Sequence, residues 1–284
     1  MISFFEFVSI GREQWRGQQS LIKALFFLIF GSPDTHTRLR NSYMLTKIAL
    51  LDFPRKCKVF EGGFGRAGTL FWLARHHPDW EITGVELDPV MATSAQCAAE
   101  KGGFRNLHII EGSSEDLLEE QIYDLMISSD ILEHLDDDIG YLQRHYQALK
   151  PGGYLLLHVP QRHQNLWRWI PAFRHHGVYD FVRDKDSIKG IQQVHVHGHV
   201  RDEYTIDEIR EVVNKVGFKV WDIRETVGKL GEISFELNQL FWSYPFIRYI
   251  FSILTYPLAV FIGYLDVLRN PSKGSGILIT AIRE

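Results

Sequence analysis

Cysteine is scarce in this chain, with only Cys57 and Cys97, far apart and in no CxxC pair. That excludes a disulfide framework and a thiolate zinc site, and it favours a reducing, cytoplasmic setting. An excess of either charge is also missing. Thirty-one basic residues against 35 acidic ones leave a net charge of −4, which gives no global attraction to nucleic acid. Long apolar runs are absent too. The uncharged stretch Tyr249 to Leu265 is interrupted by Pro257 and only reaches the minimum of ~17 residues for a spanning helix. The first residues, MISFFEFVSIGRE, have no basic leader and put Glu6 inside their apolar stretch, so no cleaved signal peptide is expected.

With 45% hydrophobic and 23% charged residues among 284, the chain has the composition of a folded globular protein. Between Lys58 and Pro160 short apolar runs, KVFEG, EITGVEL, LHIIEG, YDLMISS and GYLLLHVP, alternate with helical patterns. This is the mark of a parallel sheet with crossover helices. Asp88-Pro89 predicts a helix start and Gly102 its end; Thr205 and Glu208 predict a capping box, and Gly217 closes that helix. FKVWDIR and GILITAI supply two further strands. The fold class expected is therefore α/β, a doubly wound, Rossmann-like sheet of seven strands; that the last one runs antiparallel is implied by the family resemblance carried by the motifs of this sheet.

Residues 1–57 form a helical, basic and aromatic N-terminal region, with nine Lys/Arg against four Asp/Glu as far as Lys58. The sheet domain takes residues 58–226 and 277–284. Two insertions interrupt it. Residues 161–204 hold six of the 13 histidines and seven Arg/Lys, after the fifth strand, where a lid or substrate wall would sit. Residues 227–276 form an apolar helical insertion.

The densest chemical signal is VFEGGFGRAG, Val59 to Gly68, followed by Glu86 at the end of the next strand. Glycines at such a turn let a ligand approach the backbone, and a carboxylate about 20 residues later can hold ribose hydroxyls. Nicotinamide enzymes and methyltransferases share this pattern. Glu61 separates them, because a carboxylate there meets an ammonium group, which S-adenosylmethionine has and a nicotinamide dinucleotide lacks.

Four stretches, VFEGGFGRAG, GVELDP, YDLMISSDILEHL and LKPGGYLLLHVP, together resemble the class I S-adenosylmethionine-dependent methyltransferases, in particular the group with quinone-biosynthesis and small-molecule enzymes. The resemblance spans roughly Val59 to Phe218. It implies that Glu61, Gly63 and Gly65 line the methionine part of the cofactor, that Glu86 holds the ribose, and that Leu87 packs near the adenine. Ser113 stands where an aspartate commonly reads the adenine, and Ala67 where the third glycine usually falls. Asp130 is grouped with the cofactor-binding residues, with Asp88 a rival of Glu86 for the ribose.

For an alcohol or phenol acceptor a general base is useful, and His134 or His163 could serve. His195, His197 and His199 alternate as on a strand, but nothing in the sequence completes a metal shell, and no metal is expected. Arg201 and Tyr204 are candidates to orient an acceptor. The apolar insertion, with Phe241, Trp242, Tyr244, Phe246, Tyr249 and Phe251, suits a monotopic membrane hairpin with Leu21 to Phe30 as companion, or equally a helical cover on the core or a dimer interface. Pro257 is expected to kink a helix there. The function expected is methyl transfer from S-adenosylmethionine to a small-molecule or lipid-linked acceptor. Its rivals are a nicotinamide-dependent oxidoreductase and a non-catalytic cofactor-binding scaffold.

Overall fold

A computed structural model describes residues 2–114, 120–162, 203–239 and 245–284, with Gln239 and residues 245–254 as backbone only. Its centre is a seven-stranded sheet of order β3-β2-β1-β4-β5-β7-β6. The strands are β1 (Lys58–Gly62), β2 (Glu81–Glu86), β3 (Leu107–Glu111), β4 (Tyr123–Ser129), β5 (Leu149–Pro160), β6 (Lys219–Thr226) and β7 (Gly276–Ile282). The first five pair in parallel, and β7 runs antiparallel between β5 and β6, with Leu157 opposite Ile279. Strand order reverses between β1 and β4, so the crevice beyond their carboxyl ends is where such a sheet binds ligands.

The helices are α1 (Phe4–Ser9), α2 (Leu21–Phe30), α3 (Thr35–Ile48), α4 (Gly68–His76), α5 (Pro89–Gly102), α6 (Asp138–Ala148), α7 (Ile206–Val216), α8 (Lys229–Gln239) and α9 (Pro245–Arg269). Their ends follow local chemistry. Asp88 accepts from the Val90 and Met91 amides with Pro89 in the first turn, and Thr205 and Glu208 form the reciprocal box at the start of α7. Gly102 is the last residue of α5, and the left-handed cap falls one residue later, at Gly103, because the chain turns only where positive φ is free of a Cβ clash.

Alternation along the strands sends side chains to two cores. Val59, Leu125, Ile127 and Leu156 face α3, α4 and α9, while Phe60, Met126, Leu155 and Leu157 face α6 and α7. The same period puts Glu61, Ser129 and His158 on the α3 side at the carboxyl ends of their strands. Ser129 Oγ lies 3.1 Å from Met44 Sδ of α3. The N-terminal region is thus a wall of the crevice.

Much of its basic charge is spent inside. Arg38 is fully buried and donates to the carbonyls of Phe7 (2.6 Å), Val8 (2.7 Å), Phe30 and Ser32 (2.6 Å) and to Tyr256 Oη (2.9 Å), tying α1, α2 and α9 to α3. Lys47 pairs with Asp222 of β6 at 2.6 Å.

The insertion between β6 and β7 covers the core on one side. Tyr256, Ala259, Val260 and Val267 of α9 are buried, while Leu258 and Phe261 stay about half exposed. Pro257 lies inside α9, which runs on both sides of it as one helical element. A helical proline costs about 3 kcal/mol, and burying the apolar side chains on either side of it, at about 1.5–3 kcal/mol each, offsets that. No helix among the described residues is long and apolar enough to cross a membrane.

Candidate cofactor-binding site

The glycine turn combines three left-handed residues in five positions: Gly63 (φ 60°), Gly65 (φ 56°) and Ala67 (φ 51°). Alanine in that conformation costs about 1 kcal/mol, which explains why glycine suits the position. The Gly63 amide donates to Val85 O at 2.7 Å, locking the turn to β2. A Cβ on Gly65 would meet nothing within 4 Å, whereas one on Gly63 would fall 2.1 Å from Ile131 Cδ1. Gly65 therefore borders open space in the crevice, and at Gly63 the left-handed φ of 60° favours glycine, with the end of the Ile131 side chain packed against it.

Glu86 joins the two loops. Its Oε2 accepts from the Gly65 amide at 2.7 Å and its Oε1 from the Asp88 amide at 3.0 Å. A carboxylate has about four acceptor positions, so a pair of ribose hydroxyls can still be received. Asp88, the sequence rival, caps α5 instead. Leu87 is 61% exposed beside it, an apolar side chain open to an aromatic base. Ser113 follows Gly112, whose amide donates to Glu86 O at 3.0 Å, so the third loop adjoins the end of β2.

Glu61 is buried at the end of β1, and its Oε2 has no hydrogen-bond partner. Burial pushes its pKa up to about 8, with Arg40 opposing and Glu86 adding to the rise. An unpartnered buried carboxylate oxygen is costly. A cationic ligand group in the crevice would remove that cost, and the ammonium of S-adenosylmethionine supplies one. Glu61, the space at Gly65, Glu86 and Leu87 fit that cofactor in the order methionine, ribose, base.

Beyond β4 lies a chain of polar groups, partly buried at Arg40 and Asp130 and fully buried at His158 and Thr226. Asp130 Oδ2 accepts from Arg40 Nη1 at 2.7 Å, Asp130 Oδ1 lies 2.6 Å from His158 Nδ1, and His158 Nε2 lies 2.9 Å from Thr226 Oγ1. Burial alone would raise the Asp130 pKa, but His158 and Arg40 prevail and hold it far below the usual carboxylate range. Both carboxylate oxygens are thus occupied by protein. Asp130 has φ 52°, a conformation that aspartate tolerates better than most residues. Glu133, in the short 3₁₀ turn Leu132–His134, is buried with an unpartnered Oε2, and burial together with Asp130 pushes its pKa up to about 8. His134 Nε2 lies 3.9 Å from Glu133 Oε1, with its ring one-third exposed.

Arg40, His158 and Thr226 were not among the residues expected from sequence. A histidine and an arginine inside otherwise apolar or helical runs were the available signals, and neither shows its partner locally. Among the described residues no group of histidine, cysteine and acid side chains could hold a metal ion. His163, His195, His197, His199, Arg201, Phe241, Trp242 and Tyr244 lie outside the described residues, as do the side chains of Phe246, Tyr249 and Phe251. Two surface hollows run along the β3 edge of the sheet and between the ends of α3 and α4, and neither is lined by Glu61 or Glu86.

Comparison with known proteins agrees with this geometry. Residues 60–157 match the methyltransferase domain family. Release factor glutamine methyltransferase of Shigella dysenteriae serotype 1 (strain Sd197) is 28% identical over 117 residues, 41% of this chain and 42% of the relative. The chain thus spans less than half the length of the curated relatives it matches. Among solved structures, Haemonchus contortus phosphoethanolamine N-methyltransferase 2, complexed with phosphomonomethylethanolamine and S-adenosylhomocysteine, superposes with a TM-score of 0.59 at 17% identity, over 100% of this chain and 60% of that one. Geranyl diphosphate C-methyltransferase from Streptomyces coelicolor A3(2) gives 0.53 at 11%, over 85% and 75%. Residues 60–157 are thus similar to a methyltransferase domain, and the sheet and its helices have the fold of the methyltransferases on which they superpose.

Proposed function

We propose that the protein transfers a methyl group from S-adenosylmethionine to a small-molecule or lipid-linked acceptor, in a cytoplasmic setting and in peripheral contact with a membrane. The observation that carries the enzymatic part is the buried, unpartnered Glu61 Oε2 beside the open space at Gly65. A nicotinamide dinucleotide offers no cationic group to that carboxyl.

When bound, the cofactor supplies an activated methyl group for in-line displacement, and the protein supplies alignment and exclusion of water. Glu61 would take the ammonium and Glu86 the ribose, with Leu87 and Ser113 at the base. Asp130, held by Arg40 and His158, fixes the crevice wall after β4, and a role in contacting cofactor would run through the backbone it positions. His134, one-third exposed at the crevice rim, is the candidate to take a proton from a hydroxyl acceptor. The named neighbours are a phosphoethanolamine N-methyltransferase, a geranyl diphosphate C-methyltransferase and a release factor glutamine methyltransferase, so the fold does not by itself choose the acceptor atom.

Incubation with methyl-labelled cofactor and fractionated cell extract tests this function. Label in a lipid or small-molecule pool supports it. Label confined to protein would move the acceptor class, and cofactor binding with no transfer to any pool would leave a scaffold.

A further inference from the structure

We propose that α2 and the outward face of α9 form a docking ridge for an anionic bilayer surface, placed beside the cofactor crevice. The proposal rests on methyl transfer to a lipid-linked acceptor and names the surface that would present it. In α2, LIKALFFLIF, only Phe27 is buried, while Leu21, Ile22, Leu25, Leu28 and Ile29 are between 41% and 74% exposed. A helix packed on a soluble core shows one apolar stripe to the core and a polar one to water. This helix is apolar on both.

Its inner side is fixed. The rings of Phe26 and Phe30 lie 5.3 and 5.6 Å from that of Tyr256 on α9, and Arg38 holds the Phe30 carbonyl. On α9, Leu258 and Phe261 extend the exposed surface, and Phe261 meets Phe4 of α1 at 6.2 Å. The apolar ridge therefore crosses three packed helices.

Charge selects the occupant. No acid occurs between Glu13 and Asp34, whereas Arg16 and Lys23 do; Glu13 pairs with Arg75, and Asp34 caps α3. Among the described residues no ion pair joins Arg12, Arg16 or Lys23 to a carboxylate. Lys23 lies on α2 itself, and a two-fold dimer through the ridge would set it near its own copy. Anionic headgroups neutralise these cations while the apolar side chains enter the acyl boundary, as in interfacial helices. The ridge also adjoins the site: Arg66 of the glycine turn lies over the Phe27 ring at 5.8 Å.

Sedimentation of the full chain with phosphatidylcholine vesicles, with and without phosphatidylglycerol, provides the test. Wild type should pellet with the anionic vesicles and be released by salt. The double variant Leu25→Glu, Ile29→Glu should bind them about tenfold more weakly or less, with S-adenosylhomocysteine affinity unchanged in calorimetry. Wild type that stays in the supernatant at low salt while still binding S-adenosylhomocysteine overturns the docking surface and leaves the methyltransferase function intact. A double variant that pellets like wild type overturns the location. A dimer in light scattering that the substitutions dissociate, without vesicle binding, gives the ridge to a second copy and also overturns the proposal.

Discussion

Cofactor affinity should depend on pH through Glu61. In the free protein this carboxyl is buried and titrates at about 8, but the ammonium of S-adenosylhomocysteine is best held by the ionised form. Binding must then release a proton. At about pH 7 roughly one-tenth of the molecules have Glu61 ionised, and at about pH 6 roughly one-hundredth, so affinity should fall about tenfold per unit below pH 8, or ~1.4 kcal/mol per unit. Calorimetry in buffers of different ionisation enthalpy should show about 0.9 protons released per ligand near pH 7. Glu61→Gln removes both the counter-charge and the titration. Its affinity should lie well below wild type at pH 8 and converge with it near pH 6, where the wild-type side chain is also neutral. A wild-type affinity that is flat from about pH 6 to 7.5, or a Gln variant with the wild-type slope, would refute the assignment of Glu61 to the ammonium.

Other substitutions probe the remaining parts. Gly65→Asp should abolish S-adenosylhomocysteine binding in calorimetry with an unchanged circular dichroism spectrum, since its Cβ clashes with nothing but the side chain fills the crevice and adds a negative charge. Arg40→Met removes the 2.7 Å ion pair to the partly buried Asp130, and a loss of about 1–3 kcal/mol is expected in urea titration. Arg38→Met strands several buried carbonyls and should cost a similar amount; a melting temperature within a degree of wild type would contradict the pinning role. Glu133 has its pKa raised to about 8, so its neutral form is the one the fold favours. The stability it contributes is complete below its unfolded pKa, about 4.3, and is lost as pH rises towards 8. Glu133→Gln should therefore melt like wild type near pH 5 and above it near pH 8.5 in differential scanning fluorimetry.

The local signals were strong because they report local physics. Seven apolar runs of strand length gave the sheet, Asp88-Pro89 and Thr205 with Glu208 gave helix starts, and the glycines at 63 and 65 gave the turn. Each depends on backbone conformation within a few residues. The sequence also made Glu61 and Glu86 candidates through their spacing from that turn. It could not show that Asp88 caps α5 through its Oδ1 while Glu86 bridges two loops, because both acids sit at the same strand end. Nor could spacing reveal Arg40, His158 and Thr226 around Asp130, since those residues are 90, 28 and 96 positions away from or beyond it in the chain, and only sheet order brings them together. The sequence shows the N-terminal region only as helical, basic and aromatic; burial makes Arg38 and Lys47 internal ties.

By itself, then, the sequence determined the α/β layout, the glycine turn and the cofactor class, since strand period, glycine conformation and a carboxylate at a strand end are properties of short segments. Only the tertiary structure decided which acids are free to meet a ligand, which helix walls the crevice and which side of α2 faces outward. Those depend on desolvation and on partners distant in sequence, and neither exists until the two cores have closed around the sheet.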